Sequence, residues 1–277
     1  MRKFRKYTAT ALVAMMVAGM TMSGYQPADV SASQESEYII VTKDKKSMKT
    51  VESKYNTMID TQEQNTDFLK DENVLVSKMT AKEADIVNKD QKVVSVEKNT
   101  MVNASETEST TAAKEDQGTD SQWNLKRIHV DKAKDTATDE KVKVALLDSG
   151  IDYQEGLNVK ERVNLIEDDN EFSPMFEDSS NHGTSIASLI VSNNGKVKGI
   201  NKNVELYSAR ILDENKQAPI SRVVEGIYWA IDKKVNIISI SFGTNQYSEA
   251  LKQAIDEANA KGILVIAAAG NQGENGT

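Results

Sequence analysis

From residue 142 to residue 269 the chain alternates short apolar runs with stretches of helical periodicity, and this alternation limits the fold more than any other feature. Runs at 142–147, 204–209, 235–241 and 263–269 read as strands, whereas 182–191, 221–232 and 248–260 read as helices. Neither Val235-Asn236-Ile237-Ile238-Ser239-Ile240 nor 263–269 has clean polar alternation, the mark of parallel strands covered on both faces. The repeat predicts an α/β fold with a doubly wound parallel sheet and right-handed crossovers. Ligands of such sheets collect beyond the carboxyl ends of the strands. Asp148, Asn271 and the run Ser241-Phe242-Gly243 are all expected at such ends.

Residues 33–103 read differently, as a small α+β unit. Tyr38-Ile39-Ile40-Val41 is strand-like, and Met48, Val51, Tyr55 and Met58 recur at helical spacing. Val74-Leu75-Val76 is a second apolar run, Thr80-Ala81-Lys82-Glu83 has the capping-box pattern, and Val93-Val94-Ser95-Val96-Glu97 closes the unit. A further strand within 61–69 would make a split β-α-β arrangement. Residues 104–122 are rich in Ser, Thr and acid and have little to bury, so they read as an acidic flexible linker. The expected division is therefore 1–32, 33–103, 104–122 and 123–277.

The first of these segments opens Met1-Arg2-Lys3-Phe4-Arg5-Lys6, continues with an apolar stretch over 9–20, and ends Val30-Ser31-Ala32. A basic start, a short apolar run and an A-x-A-like end make a secretory signal peptide, and the run is too short for a membrane span. Cleavage is expected after Ala32, giving a secreted protein. The net charge of -8, with no basic stripe beyond the first six residues, argues against nucleic acid. With no cysteine there is neither a disulfide framework nor a lipidated cysteine after the signal.

Two side chains carry the chemistry. Asp148 ends an apolar strand in Asp148-Ser149-Gly150, and His182, one of two histidines, opens a helix in Asn181-His182-Gly183-Thr184. An imidazole at a helix N-terminus is disfavoured as a cation, which helps keep a base available. A buried carboxylate can orient that base. Singly, such an Asp is often a turn or cap residue and such a His an ordinary structural one.

Taken together, Asp148-Ser149-Gly150, His182-Gly183-Thr184 with Ala187, and Ala268-Ala269-Gly270-Asn271 resemble the subtilisin family over about residues 123–277. The order Asp, His, Ser is that of subtilisin. The resemblance implies a serine endopeptidase with Asp148 as orienting carboxylate, His182 as base and Asn271 as side-chain donor to the oxyanion. Loss of that donor costs about 10² to 10³ in turnover in subtilisin. It also implies that Ser241, Phe242 and Gly243 line the specificity pocket and pair with substrate backbone. Residues 81–97 resemble the inhibitor-type propeptide of the family, which templates folding and occupies the substrate groove until removed. Partners are then a peptide or protein substrate and the chain's own propeptide.

Gly183-Thr184-Ser185-Ile186-Ala187 looks like the family's nucleophile motif, but Leu189 stands at its proline position. Ser185 is also on the same helix as His182, so it cannot face the imidazole in line. The expectation is a chain inactive as written, a fragment whose nucleophile and last strands are missing. No cofactor is expected. Calcium, held by many subtilisins in a loop after this helix, gets no site, because 192–199 is short and carries Lys196 and Lys198. That short Asn-Gly loop and Gln122-Trp123-Asn124-Leu125 are more similar to lantibiotic leader peptidases, secreted subtilases that trim precursor peptides; wall association is expected only if a C-terminal anchor follows. The competing readings are a catalytically dead remnant whose propeptide acts as a binding or inhibitory module, and a nucleotide-binding domain. No G-x-G-x-x-G follows a strand, which disfavours the second.

Overall fold

The computed structural model describes residues 34–60, 66–104, 122–133, 141–166, 177–193 and 197–270. The signal-like segment 1–32, residues 105–121 of the linker, and Asn271 lie outside them. Among the described residues no helix is long and apolar enough to cross a membrane.

The first unit contains β1 (Glu35–Thr42), α1 (Lys45–Lys54), α2 (Asp67–Asp71), β2 (Val74–Thr80), α3 (Ala81–Asn88) and β3 (Val93–Lys98), followed by β4 (Met101–Ala104). β1 lies between β2 and β3, antiparallel to both. Its alternating side chains serve two cores, as the two-residue period of a strand dictates. Tyr38 and Ile40 pack with Met48, Val51 and Val87, whereas Ile39 and Val41 belong to the larger core shared with the second unit. α3 starts at the predicted capping box: the Glu83 amide donates to Thr80 Oγ1 at 3.3 Å, and the Thr80 amide donates to Glu83 Oε2 at 2.9 Å. The fourth strand expected within 61–69 is not formed as such. Residues 67–71 are helical, residues 61–65 lie outside the described set, and Asp60 makes a single antiparallel bridge to Lys78. Asp67-Phe68-Leu69 turns into a helix to bury Leu69 in the shared core.

The second unit runs α4 (Trp123–Arg127), β5 (Lys143–Asp148), β6 (Val159–Asn164), α5 (His182–Val191), β7 (Glu205–Arg210), β8 (Gln217–Pro219), α6 (Ile220–Asp232), β9 (Ile237–Ile240), β10 (Phe242–Gly243), α7 (Glu249–Ala260) and β11 (Leu264–Ala267). Five strands form an all-parallel sheet in the order β11-β9-β5-β7-β6, as the alternation predicts. β5 is central, with later strands added on both of its sides. The polar Lys160-Glu161-Arg162 hid β6 from a hydrophobicity reading, and it occupies an edge. β11, whose one strand neighbour among the described residues is β9, departs from the doubly covered strand expected: Leu264 is 56% and Ile266 49% exposed.

The two units are joined through backbone. β4 lies between β8 and β10, antiparallel to each, pairing Val102 with Ala218 and Ala104 with Phe242. Two helices of the second unit also take N-terminal partners from the first. The Glu97 carboxylate accepts from Ser248 Oγ at 2.5 Å and from the Glu249 amide at 2.8 Å, at the start of α7. Asn99 Oδ1 accepts from the Ser221 amide at 3.0 Å, and the Thr100 carbonyl accepts from the Ile220 amide at 2.9 Å, at the start of α6. The first amides of a helix have no partner within it, so these contacts satisfy groups that would otherwise need water. A carboxylate there is favoured by the helix dipole as well. Glu97→Ala is expected to lower the stability of the whole chain by about 1–2 kcal/mol, the cost of a lost cap. Urea unfolding checks this.

One contact in this interface opposes docking. Burial raises the pKa of Glu72, at the end of α2, and the charge and hydrogen bond of Glu257 on α7 raise it further, while Lys261 and Lys45 act the other way. A group whose pKa is raised on folding stabilises fully below its unfolded value, and that contribution is lost as pH rises through the folded value. Docking is therefore expected to weaken as pH rises from acid through the titration of Glu72. In thermal melts, Glu72→Gln should abolish that fall and add on the order of 0.5 kcal/mol at neutral pH, the scale of a partly exposed pair.

Candidate active site

Asp148 is the last residue of β5, in register with Arg210 at the end of β7, while Leu147 is in register with Ile240 at the end of β9. Ile240 is in turn paired with Ala267 of β11, so the carboxyl ends of β5, β9 and β11 share one edge of the sheet. α5 begins on that edge. Asn181, in the left-handed region with φ 59°, turns the chain into it. Two glycines permit the approach of helix to strand. A Cβ on Gly183 would lie 2.1 Å from the Gly150 carbonyl oxygen, and one on Gly150, at φ +108°, would lie 2.7 Å from that of Glu177. Neither position accepts a side chain without moving backbone.

The consequence is a contact between residues 34 positions apart: His182 Nδ1 lies 2.6 Å from Asp148 Oδ1. The Asp148 side chain is 1% exposed and that of His182 24%. An ionised carboxylate only accepts, so Nδ1 carries the proton and the neutral ring presents Nε2 as its unprotonated nitrogen. Asp148 Oδ1 also accepts from the Ser149 amide at 2.8 Å, whereas Oδ2 is buried without a hydrogen-bond partner among the described residues.

The pKa of His182 is raised. Its hydrogen bond to Asp148 is the largest cause; burial opposes it, the charges of Asp148 and Asp178 add to it, and the charge of Lys216 acts against it. The direction is opposite to that expected from a helix N-terminus, and the carboxylate in direct contact is its largest cause. His182 thus favours folding below its unfolded value, and that contribution fades as pH rises through the folded value. Asp148→Asn should lower the midpoint of the His182 imidazole resonance and remove that pH-dependent stability. Titration by NMR reads the first and melts across pH read the second.

The remaining expected residues fall as follows. Phe242 and Gly243 form β10 and pair with an extended strand, and that strand is the chain's own β4. Ser241 immediately precedes β10 and is partly buried. The Phe242 side chain is buried in the shared core with Val102, Ala104 and Ala218. β4 ends on the loop that carries Lys216: the Ala104 amide donates to the Lys216 carbonyl at 2.9 Å, and the Lys216 charge is among those acting on His182. Asn271 lies outside the described residues; Gly270, which precedes it, has φ +87°. Ser185 Oγ donates to the Asn181 carbonyl at 2.7 Å, the contact of a helix-surface serine. Of the loop at 192–199, residues 194–196 are not described, and Asn193 bridges Lys198. Among the described residues no group of three or more His, Asp or Glu side chains could hold a metal ion.

A family model described as the subtilase family matches residues 139–277. The chain belongs to the subtilase family. It is 28% identical over 253 residues to the thermostable alkaline protease of Halalkalibacterium halodurans, covering 90% of this chain and 64% of that one. It is 32% identical over 155 residues to the minor extracellular protease Epr of Bacillus subtilis, covering 55% and 23%. To subtilisin E of Bacillus subtilis it is 38% identical over 143 residues, covering 50% and 37%. The chain thus spans less than two thirds of each of these relatives.

Sequence reasoning missed Asp178, Lys216 and the seat of β4. Asp178 had a signal, an acid four residues ahead of the histidine in Asp178-Ser179-Ser180-Asn181-His182. Lys216 had none: it lies 34 residues beyond His182, in a loop where it takes φ 58°.

Proposed function

We infer that this subtilase is a secreted serine endopeptidase of the subtilisin type, made with residues 33–103 as an inhibitor-type propeptide behind a signal peptide. One observation carries the reading: a buried carboxylate and a half-open imidazole meet at 2.6 Å beyond the carboxyl end of a parallel sheet. In this reading Asp148 orients the ring, and Nε2 of His182 takes the proton of a serine hydroxyl that attacks the peptide carbonyl. The same nitrogen then returns the proton to the leaving amine. Asn271 donates to the oxyanion, and Ser241-Phe242-Gly243 pairs with the substrate as an added strand. Ser185 is not the nucleophile in this reading, since its hydroxyl is bonded to its own helix.

The propeptide role is supported by β4, which pairs with β8 and β10 in the manner of a bound peptide. An enzyme so arranged holds part of its own chain where a substrate would lie. The short loop at 192–199 favours, as substrate, a precursor peptide of the lantibiotic type whose leader is trimmed.

The test uses a preparation of the enzyme that cleaves peptide. His182→Ala and Asp148→Ala should each block cleavage of a leader-bearing peptide and release of residues 33–103, with losses of about 10⁴ to 10⁶ in turnover. Normal maturation of both variants in a protease-free host overturns the reading.

A further inference from the structure

Asp178 is a second carboxylate near the Asp148–His182 pair and is 8% exposed. It is fully engaged. Its Oδ1 accepts from Ser149 Oγ at 2.6 Å and from the Ser180 amide at 3.1 Å, and its Oδ2 accepts from the Thr184 amide at 2.7 Å. Ser149 follows Asp148 in sequence, and Thr184 is two residues beyond His182. The Asp178 amide donates to Asp152 Oδ1 at 2.9 Å, and the Asp152 amide donates to Thr184 Oγ1 at 3.0 Å. The Gly183 amide donates to Ser149 Oγ at 3.0 Å, so the serine hydroxyl joins strand end, helix start and carboxylate.

A hydroxyl has one proton to give. Ser149 Oγ lies 2.6 Å from Asp178 Oδ1 and 3.2 Å from Asp148 Oδ1, so the proton goes to Asp178. This choice matters because Asp148 Oδ1 is the oxygen that holds His182. Were the Ser149 hydroxyl to turn to it, the oxygen would receive a third donor and hold the imidazole less tightly. Asp178 therefore draws a competing proton away while tying the start of α5 to the end of β5.

Building on the serine-peptidase reading, we propose that Asp178 is a positioning residue: through Ser149 and Thr184 it fixes the Asp148–His182 pair and reserves Asp148 Oδ1 for the imidazole. It touches neither the ring nor any reacting atom. The charged groups acting on the ring are Asp148 at its Nδ1 and Asp178, which raise its pKa, and Lys216, which lowers it.

The test uses the 277-residue chain and needs no turnover. It has two histidines, His129 and His182, so assignment requires one reference variant, His129→Gln. In Asp178→Asn the His182 titration midpoint should move down, and its downfield Nδ1 proton resonance should move upfield or be lost, with the far-UV circular dichroism unchanged. An unchanged midpoint and resonance in folded Asp178→Asn, alongside the shift in Asp148→Asn, overturn the proposal. If Asp178→Asn does not fold, Asp178→Glu keeps the charge but displaces the carboxylate from Ser149 and Thr184, and a wild-type Nδ1 resonance in folded Asp178→Glu overturns it equally. Failure of the peptidase reading appears elsewhere, as cleavage by the active preparation without His182.

Discussion

The arrangement depends on a buried negative charge. Asp148 sits at the tip of the central strand, and a carboxylate so enclosed persists as an ion only when donors surround it. The donors come from both sides: the Ser149 amide from its own strand end, and the imidazole from a helix that begins on the same edge. For the ring to arrive, helix and strand must approach until backbone meets backbone. Gly150 and Gly183 therefore stand where any Cβ would collide. Charge, glycines and histidine form one solution, and the remainder of the sheet serves to hold it.

The same logic, polar groups calling for partners, governs the join between the units. Among the described residues, α6 and α7 take N-terminal partners from Glu97, Asn99 and Thr100 of the first unit. The apolar alternation of β1 supplies area, because Ile39 and Val41 reach the shared core while Tyr38 and Ile40 stay home. Hydrophobic burial gives the interface its strength, and the capped helix ends fix its register. The Glu72–Glu257 pair works in the opposite direction and makes the join sensitive to pH.

Much of this was legible in residues. Continuous apolar runs predicted β5, β7, β9 and β11, and the Thr80-to-Glu83 pattern predicted the start of α3, because both signals are local. β6, with Lys160-Glu161-Arg162, carried no apolar signal, and an edge strand needs none. The stretch around Phe68 and Leu69 was ambiguous because a short apolar pair fits helix or strand, and burial against the second unit decided it. Asp148 and His182 were readable from their flanks. The rise in the His182 pKa was not, since the opposing influences of helix and carboxylate are weighed only by distance. Asp178 stood in view four residues ahead of the histidine, but its role was not readable, because its partners Ser149 and Thr184 converge only after folding.

The seat of β4 has a consequence for any peptide that would pair with β8 and β10. That position is already filled by a strand covalently tied to the molecule, and a tether of this kind gives an effective concentration on the order of millimolar. A free competitor at micromolar levels that fits no better than the strand is outnumbered. Dilution of the protein does not help it, because the resident strand is diluted by nothing. Severing the chain beyond Ala104 changes the rule, not the contacts: the occupant then dissociates like any other ligand, and its hold fades as the solution thins.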